Sequence, residues 1–493
     1  MNAPFTFQNT YARLPERFYA RLPPTPVAAP QLVKLNVALA KQLGLDPDAL
    51  ASQESVEVLA GNRLPEGSEP LAMAYAGHQF GNWVPQLGDG RAVLLGEIRD
   101  AQGINWDIQL KGAGRTPFSR GGDGRAALGP VMREYIISEA MHGLGIPTTR
   151  SLAMVTTGEV IERNGFLPGA VLTRVARSHV RVGTFEYFGN RGDAEAVRTL
   201  ADYVISRLYP DVASDQQPYR ALLDAVIARQ ANLIAQWLGV GFIHGVMNTD
   251  NTAISGETID YGPCAFMDTF HPAMVYSSID QMGRYAYGNQ PGIVQWNLAQ
   301  FAQALIPIMS DDQEAALKSA QEAIDAFPAL FKAAYLATLR KKIGLAVEQE
   351  NDGKLAQDLL KRMADSGVDF TLAFRRLSAC TLQPSSADDA VRDLFHDKAS
   401  IDEWLGLWRT RLADETRGDA ERQTAMRQTN PAYIARNHRV EQVIAAAQEH
   451  GDFGPLETLL QALSEPFVER PGFKAYMEPP KPDEVVRQTF CGT

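Results

Sequence analysis

The segment HGVMNTDN at His244–Asn251, followed by IDYG at Ile259–Gly262, holds the densest group of candidate catalytic residues in the chain. Asn251 and Asp260 offer hard oxygen ligands, and Mg²⁺ favours a few protein oxygens combined with phosphate oxygens. Asp250 is the carboxylate available to accept a proton from an attacking hydroxyl group. Two unrelated polar turns are the alternative. The order and spacing of these turns after a glycine-rich region instead predict one metal-dependent site.

Two glycine-rich turns precede this segment, LGDGR at 87–91 and GGDGR at 121–125. Glycine lets backbone N–H groups approach phosphate oxygens closely, and a neighbouring arginine adds positive charge. Taken alone, the first segment is explained better by a hairpin turn, and a flexible loop explains the second segment equally well. The first turn offers Gly88, Gly90 and Arg91 as candidate phosphate contacts. The second turn, which contains Asp123 and Gly124, offers another phosphate contact or shapes the loop above one.

Further charged residues suggest a bound nucleotide. Lys111 ends an apolar, strand-like run, and Glu134 lies on a helix predicted downstream. In protein kinases, a strand lysine held by a helix glutamate contacts the nucleotide phosphates. Arg174, Arg177 and Arg181 cluster where the chain leaves its β-rich region, and guanidinium groups match phosphate oxygens. Solvated side chains are the alternative for each of these groups.

The secondary-structure patterns predict an α+β chain with a bilobal, protein-kinase-like layout. Short β-like runs dominate the glycine-dense region, apart from one helix near Pro130–Gly143, and helical patterns dominate later. A short helix is also predicted around Pro30–Leu43, and a longer one over Asp388–Leu412. The predicted parts are an N-terminal arm packed on the body (1–70), a small β-rich N-lobe (71–175), a large helical C-lobe (176–385), and a helical C-terminal extension with a tail (386–493).

Composition excludes several classes of protein. The chain has 493 residues, 45% of them apolar, and a formal net charge of -11, which argues against general binding to nucleic acid. No apolar run approaches the length of about 18 residues that a spanning helix needs. The N-terminus lacks a basic start followed by an apolar core. We therefore expect a monomeric, cytoplasmic protein without membrane or nucleic-acid partners.

Seven segments together resemble a known family. They are YAGHQFG (75–81), PQLGDGRA (85–92), QLKGAGRTPFSR (109–120), DGRA (123–126), REYIISEAMHGLGIPTTR (133–150), HGVMNTDN (244–251) and IDYGP (259–263). On these segments the chain closely resembles the selenoprotein O (SelO) protein adenylyltransferases, which are kinase-like proteins. The resemblance runs from the N-terminal arm to the final cysteine. Because the motifs are long and occur in the same order, chance is a poor explanation.

The resemblance implies a role for each matching residue. Asp250 would be the proton acceptor, and Asn251 and Asp260 would hold the metal. Glu134 would hold Lys111 against the nucleotide. The residues that would bind ATP are Gly88, Gly90, Arg91, Lys111, Asp123, Gly124, Arg174, Arg181 and Asp260.

The resemblance also implies transfer of a nucleotide rather than of a phosphate. The family binds ATP in the inverted orientation relative to kinases, so the β- and γ-phosphates would lie against Arg91, Lys111, Arg174 and Arg181. Those cations would stabilise the charge that develops on the pyrophosphate leaving group.

The chain departs from the usual kinase pattern at the residue that would act as the base. Counting from His244 in the kinase pattern H-R-D-x-x-x-x-N, Val246 stands at the aspartate position, and Asp250 is the available replacement.

The expected activity is transfer of AMP from ATP to Ser, Thr or Tyr hydroxyl groups of other proteins. The cofactor would be Mg²⁺, with Mn²⁺ as an alternative, and UMP transfer from UTP is a close variant. A protein kinase and a non-catalytic nucleotide-binding scaffold are the competing functions. The metal-ligand candidates Asn251 and Asp260 argue against a scaffold.

The cysteines add a hypothesis about redox control. Three cysteines do not suggest a disulfide framework. In animal members of the family, selenocysteine occupies the third-last position, which is Cys491 here. A Cys264–Cys491 disulfide would pin the tail near the active-site segment and could gate activity. Two free thiols in a reducing compartment are the alternative.

Overall fold

The structure is a computed structural model that describes residues 5–163 and 165–490. The β-rich half comes first along the chain, and helices dominate from residue 182 onward. The strands are β1 (Tyr19–Arg21), β2 (Gln31–Leu35), β3 (Leu71–Met73), β4 (Gly77–Gln79), β5 (Asn82–Val84), β6 (Ala92–Arg99), β7 (Asn105–Lys111), β8 (Ala126–Ala127), β9 (Arg150–Arg163), β10 (Gly165–Ala176), β11 (Phe242–Ile243) and β12 (Ala265–Phe266).

The helices begin in the N-terminal arm and fill the second half of the chain. They are α1 (Val37–Gln42), α2 (Pro47–Leu50), α3 (Gln53–Ala60), α4 (Leu128–Gly143), α5 (Val182–Gly189), α6 (Ala194–Leu208), α7 (Pro218–Gly239), α8 (Gln290–Met309), α9 (Gln313–Lys342), α10 (Asp352–Ser366), α11 (Phe370–Leu377), α12 (Ala387–Arg392), α13 (Lys398–Leu412), α14 (Asp419–Thr429), α15 (Asn437–His450) and α16 (Gly454–Leu463). Among the described residues, no helix is both long and apolar enough to span a membrane.

One antiparallel sheet organises the first half, with the strand order β1-β3-β6-β7-β10-β9-β2 and β8 paired to β10. Both faces of this sheet are covered. Val93 and Leu95 of β6 belong to a core shared with α1–α3, whereas Leu94 belongs to the core that contains α4. Because side chains alternate across a strand, covering both faces explains why β6 begins with the unbroken apolar run Ala92–Leu95.

Two local predictions about secondary structure were wrong. Residues 31–35, expected to lie in a helix, form β2, which pairs with β9 at the sheet edge. A helix begins only after Asn36, whose side chain accepts a hydrogen bond from the Leu39 N–H and so caps α1. The long helix expected over Asp388–Leu412 is divided into α12 and α13.

The prediction of an α+β chain with a β-rich first part and a helical second part is confirmed. The division into two kinase-like lobes and the four segment boundaries stay predictions. β1 and β2 of the predicted arm contribute strands to the sheet rather than only packing on it. The main core continues from α4 of the β-rich half into the helical half, so the two halves share apolar side chains.

Lys342, at the end of α9, is buried, and no carboxylate of the described residues pairs with it. Its Nζ lies 4.1 Å from the ring centroid of Phe374 and 5.2 Å from that of Phe370. Burial lowers the pKa of this ammonium to about 7, because the charged form loses its hydration. Attraction to the two rings compensates for part of that cost.

We expect Lys342→Met to stabilise the fold in a pH-dependent way. The unfolded lysine binds its proton below about pH 10.5, while the folded one binds it only below about pH 7. Between these values the free energy of unfolding of the wild type falls as the pH falls. The gain from the substitution should therefore be about 2–3 kcal/mol larger at pH 6 than at pH 9. Urea unfolding of both proteins at the two pH values measures this difference.

Lys341→Met is the matched control, because Lys341 is exposed at the neighbouring position. It should change the urea midpoint by a small amount that does not depend on pH. Equal effects of the two substitutions, or a gain from Lys342→Met that is constant with pH, would contradict the explanation based on burial.

Candidate functional site

A cleft of about 390 Å³ lies between the sheet and the helical half. Its walls come from the two glycine-rich turns, from the ends of β7 and β10, and from the two polar turns that follow β11. Nearly every predicted site residue lines this cleft: Gly88, Gly90, Arg91, Lys111, Asp123, Gly124, Arg174, Arg181, Asp250, Asn251 and Asp260.

Glu134 anchors two cations beneath the cleft. Lys111 ends β7 and Arg174 lies on the adjacent strand β10, so their side chains emerge from the same face of the sheet. Glu134 Oε2 lies 2.5 Å from Lys111 Nζ, and Glu134 Oε1 lies 2.7 Å from Arg174 Nε. Burial alone would raise the pKa of Glu134, but attraction to Arg174 and Lys111 lowers it below its usual value. A charged Glu134 can therefore fix both cations.

Asp260 contacts the same two cations as Glu134. Its Oδ1 lies 2.6 Å from Lys111 Nζ and 3.2 Å from Arg174 Nη2. Burial opposes its ionisation, yet Lys111 and Arg174 hold its pKa well below the usual range. Its backbone has φ of +66°, a left-handed conformation that is uncommon for residues other than glycine. Such backbone strain is often found at functional sites.

Asn251 has the features of a metal ligand. Its Nδ2 donates to the Val246 carbonyl oxygen at 3.0 Å, which fixes the orientation of the amide. Its Oδ1 is buried and has no hydrogen-bond partner within the described residues. A buried oxygen without a partner is costly unless something fills its coordination. This oxygen and the carboxylate of Asp260 line one cleft, so the donor set fits a hard divalent cation.

Asp250 lies in the same short turn, with only 7% of its surface exposed. Burial raises the pKa of its carboxyl group to about 7, although the Arg181 guanidinium opposes this shift. Arg181 also donates to the Asp250 carbonyl oxygen at 3.0 Å. The carboxylate is thus held close to a positive charge in a poorly hydrated position.

The first glycine-rich turn approaches its neighbours too closely for side chains. A Cβ atom on Gly88 would lie 2.3 Å from the Phe118 ring, and one on Gly90 would lie 2.8 Å from the Phe118 carbonyl oxygen. Gly88 also has φ of +83°. Packing by itself therefore accounts for glycine at both positions, and it brings the backbone of this turn to the wall of the cleft.

The second turn is tied to the sheet. Gly124 has φ of +70°, and a Cβ atom there would lie 2.1 Å from the backbone of Gly114. The Asp123 carboxylate pairs with both terminal nitrogens of Arg163, at 2.8 and 2.9 Å. Arg163 was not singled out from the sequence, because this ion pair joins the turn to the end of β9, 40 positions further along the chain.

Arg181 lies deeper in the cleft, between two residues that sequence reasoning left without a role. Its guanidinium lies 4.5 Å from the Tyr75 ring centroid and 3.7 Å from Asp89 Oδ1. Burial raises the pKa of Asp89, although Arg181 opposes this shift.

Arg177, the third arginine of the predicted cluster, does not line the cleft with Arg174 and Arg181. Its guanidinium instead lies 5.6 Å from the Trp106 ring centroid.

The segment YAGHQFG contributes a further wall that sequence reasoning did not assign. Its central residues form β4, which pairs with β5 as a hairpin. The His78 N–H donates to Thr249 Oγ1 at 2.7 Å, and Gln79 Nε2 lies 3.3 Å from Asp250 Oδ2. No local signal could have revealed these contacts, because they join residues 171 positions apart.

The C-terminal tail runs past the segment that follows Asp260. Thr489 Oγ1 donates to the Pro263 carbonyl oxygen at 2.6 Å, and the Thr489 N–H donates to the Tyr276 carbonyl oxygen at 2.8 Å. Cys264 is buried, and burial raises the pKa of its thiol to about 12. Cys491 lies outside the described residues, so the disulfide between these cysteines stays a prediction.

Comparison with known proteins places this cleft in a family. The family model described as protein adenylyltransferase SelO matches residues 3–464. The chain belongs to the SelO family. A protein nucleotidyltransferase YdiU from Bradyrhizobium sp. (strain BTAi1 / ATCC BAA-1182) is 63% identical over 494 residues, covering 100% of both chains. The protein of the same description from Rhodopseudomonas palustris (strain HaA2) is 61% identical over 493 residues, again covering 100% of both.

Membership of the SelO family confirms the resemblance seen in the sequence motifs. It also confirms the prediction that the chain belongs among the nucleotidyltransferases rather than among phosphate-transferring kinases or non-catalytic scaffolds. The family name does not specify which residue performs each role. Those assignments depend on the geometry of the cleft.

Proposed function

We propose that this chain transfers AMP from ATP to Ser, Thr or Tyr hydroxyl groups of other proteins and releases pyrophosphate. The observation that supports this most strongly is its membership of the SelO adenylyltransferases over residues 3–464. The cleft adds an acid–base candidate and a metal-ligand pair within one short region of space. We further propose a kinase-like division into lobes, with the N-lobe at 71–175 and the C-lobe at 176–385.

In the proposed reaction, the cations hold the leaving group. The β- and γ-phosphates of ATP would lie against Arg91, Lys111, Arg174 and Arg181, with the backbone of the two glycine-rich turns alongside. This arrangement leaves the α-phosphorus facing the protein substrate. The hydroxyl oxygen forms a bond to the α-phosphorus. At the same time the bond between the α-phosphorus and the oxygen that bridges the α- and β-phosphates breaks, and the departing pyrophosphate keeps that electron pair. Positive side chains stabilise the charge that develops there.

Asp250 would take the proton of the attacking hydroxyl group. A base is most effective when its pKa lies near the working pH, and burial moves Asp250 in that direction. Asn251 and Asp260 would hold Mg²⁺, or Mn²⁺ as an alternative. The metal would neutralise phosphate charge. With a nucleotide bound, Lys111 and Arg174 would exchange part of their contact with Asp260 for contact with phosphate.

The position of the transferred label tests this function against the alternatives. The purified chain is incubated with target proteins, Mg²⁺ or Mn²⁺, and ATP labelled on either the α- or the γ-phosphate. We expect protein-bound label only from the α-position, together with a mass increase of one AMP unit. Label arriving only from the γ-position would establish a kinase instead, and no label from either position would favour a scaffold.

The same assay identifies the nucleotide donor. α-labelled UTP is supplied in parallel with ATP under both metals, and the ratio of the two kcat/KM values defines the preference. We propose ATP as the main donor and a cytoplasmic monomer as the acting form. Size-exclusion chromatography with light scattering measures the oligomeric state.

A further inference from the structure

The β4–β5 hairpin contacts the turn that carries Asp250, and both backbone and side-chain groups of the hairpin take part. The Phe80 N–H lies 3.1 Å from Asn248 Oδ1 and 3.1 Å from the Tyr285 hydroxyl oxygen. The Tyr285 hydroxyl group in turn donates to Asn248 Oδ1 at 2.6 Å. With the His78–Thr249 bond described above, these contacts fix the hairpin beside Asp250 without any help from the Gln79 side chain.

The hairpin encloses the Asp250 carboxylate on two sides. A Cβ atom on Gly77 would lie 2.7 Å from Asp250 Oδ1, so the Gly77 backbone packs directly against that oxygen. Gln79 Nε2 approaches the other oxygen, Oδ2, at 3.3 Å. Within the described residues, Gln79 is the one side chain that donates a hydrogen bond to this carboxylate. Gln79 also lines the cleft in which the reaction would take place.

We propose that Gln79 is a positioning residue for Asp250: its side-chain amide fixes the rotation of the carboxylate relative to the incoming hydroxyl group. This inference rests on the function proposed above. A carboxylate rotates easily about its terminal bond, whereas a base must hold one oxygen within hydrogen-bond reach of the proton it removes. The Gly77 backbone limits movement on the Oδ1 side, and Gln79 supplies the directional contact on the Oδ2 side.

The opposing possibility is that Gln79 only packs in the hairpin. The side chain of Gln79 is partly exposed, and the backbone N–H groups of His78 and Phe80 hold the hairpin in place. The hairpin therefore does not need the Gln79 side chain for its packing. Leucine has a similar volume and would preserve packing while removing the donor. Glutamate also has a similar volume, but it would place a second carboxylate beside Asp250 and repel it.

The test compares Gln79→Leu and Gln79→Glu with the wild type in AMP transfer and in ATP binding. For Gln79→Leu we expect kcat to fall about 10- to 100-fold, because a base contributes about 10²–10⁴ and only its orientation is lost. The KM for ATP and the urea midpoint should stay close to the wild-type values. Gln79→Glu should lose more kcat than Gln79→Leu. Gln86→Leu is the matched control, since Gln86 is an exposed glutamine seven positions further on, and it should keep wild-type kcat.

Each result decides the matter. A wild-type kcat in Gln79→Leu would overturn the positioning role, as would a loss of activity accompanied by an equal loss of ATP binding or stability. If the wild-type protein itself transfers no nucleotide, the proposed function fails, and this outcome is distinct from an active wild type with an unaffected variant.

Discussion

Replacing Asp260 with asparagine is expected to abolish nucleotidyl transfer, lowering kcat by at least about 10³-fold. The carboxylate is the one charged member of the proposed metal-ligand pair. It also balances Lys111 and Arg174, with which it shares short contacts. Asparagine keeps the size and one oxygen of the side chain but loses the charge. The metal would therefore bind weakly, and Lys111 and Arg174 would each lose one of their two carboxylate partners.

The measurement for Asp260→Asn combines AMP transfer with titration of Mg²⁺ and Mn²⁺. We expect residual activity to require a higher metal concentration than in the wild type, which links the defect to the cation. Asp224→Asn is the matched control, because Asp224 is exposed on α7, outside the cleft, and pairs with Arg220. Unchanged turnover in Asp260→Asn, or a loss that is independent of metal concentration, would refute the metal assignment.

Asp250→Asn should lower kcat by about 10²–10⁴-fold and leave ATP binding almost unaffected. The substituted amide cannot accept a proton from the attacking hydroxyl group. Its carbonyl oxygen can still accept the hydrogen bond from Gln79, and the Arg181 contact uses the Asp250 backbone oxygen, so local packing should survive. The predicted signature is thus a loss in the chemical step alone, unlike the loss expected for Asp260→Asn.

Two measurements test this signature for Asp250→Asn. Equilibrium binding of ATP in the presence of Mg²⁺ gives the dissociation constant, and steady-state AMP transfer gives kcat and KM. Parallel losses of binding and kcat would mean that Asp250 serves the nucleotide rather than the proton. A kcat within a fewfold of the wild type would assign the proton acceptor to another residue.

Short motifs predicted those parts of the cleft in which neighbouring residues act together. Asp250 and Asn251 are adjacent, and Asp260 follows nine positions after Asn251, so their chemistry was visible in the sequence. Lys111 at a strand end and Glu134 on the following helix repeat a known arrangement, and the structure places their charged atoms 2.5 Å apart. In each case the residues that act together are close in the sequence, so their order and spacing predicted the arrangement.

Contacts between distant segments could not be predicted from one sequence. Gln79 lies far from Asp250 along the chain, and nothing in YAGHQFG indicates which partner the hairpin meets. The strand at 31–35 was misread because its short apolar pattern suits a helix as well as a strand. Pairing with β9 decided the outcome, and such tertiary contacts override local propensity.

The two outermost strands of the sheet, β1 and β2, both come from the first 35 residues of the chain. During synthesis on the ribosome, β2 emerges long before its partner β9, so it stays unpaired while the middle of the sheet is being made. Pairing of segments so distant in sequence slows folding, and unpaired strand edges invite association with other chains. A nascent chain would therefore be most prone to aggregation until β9 is released. Removing the first 35 residues would delete β1 and β2 and leave the edges of β3 and β9 permanently unpaired.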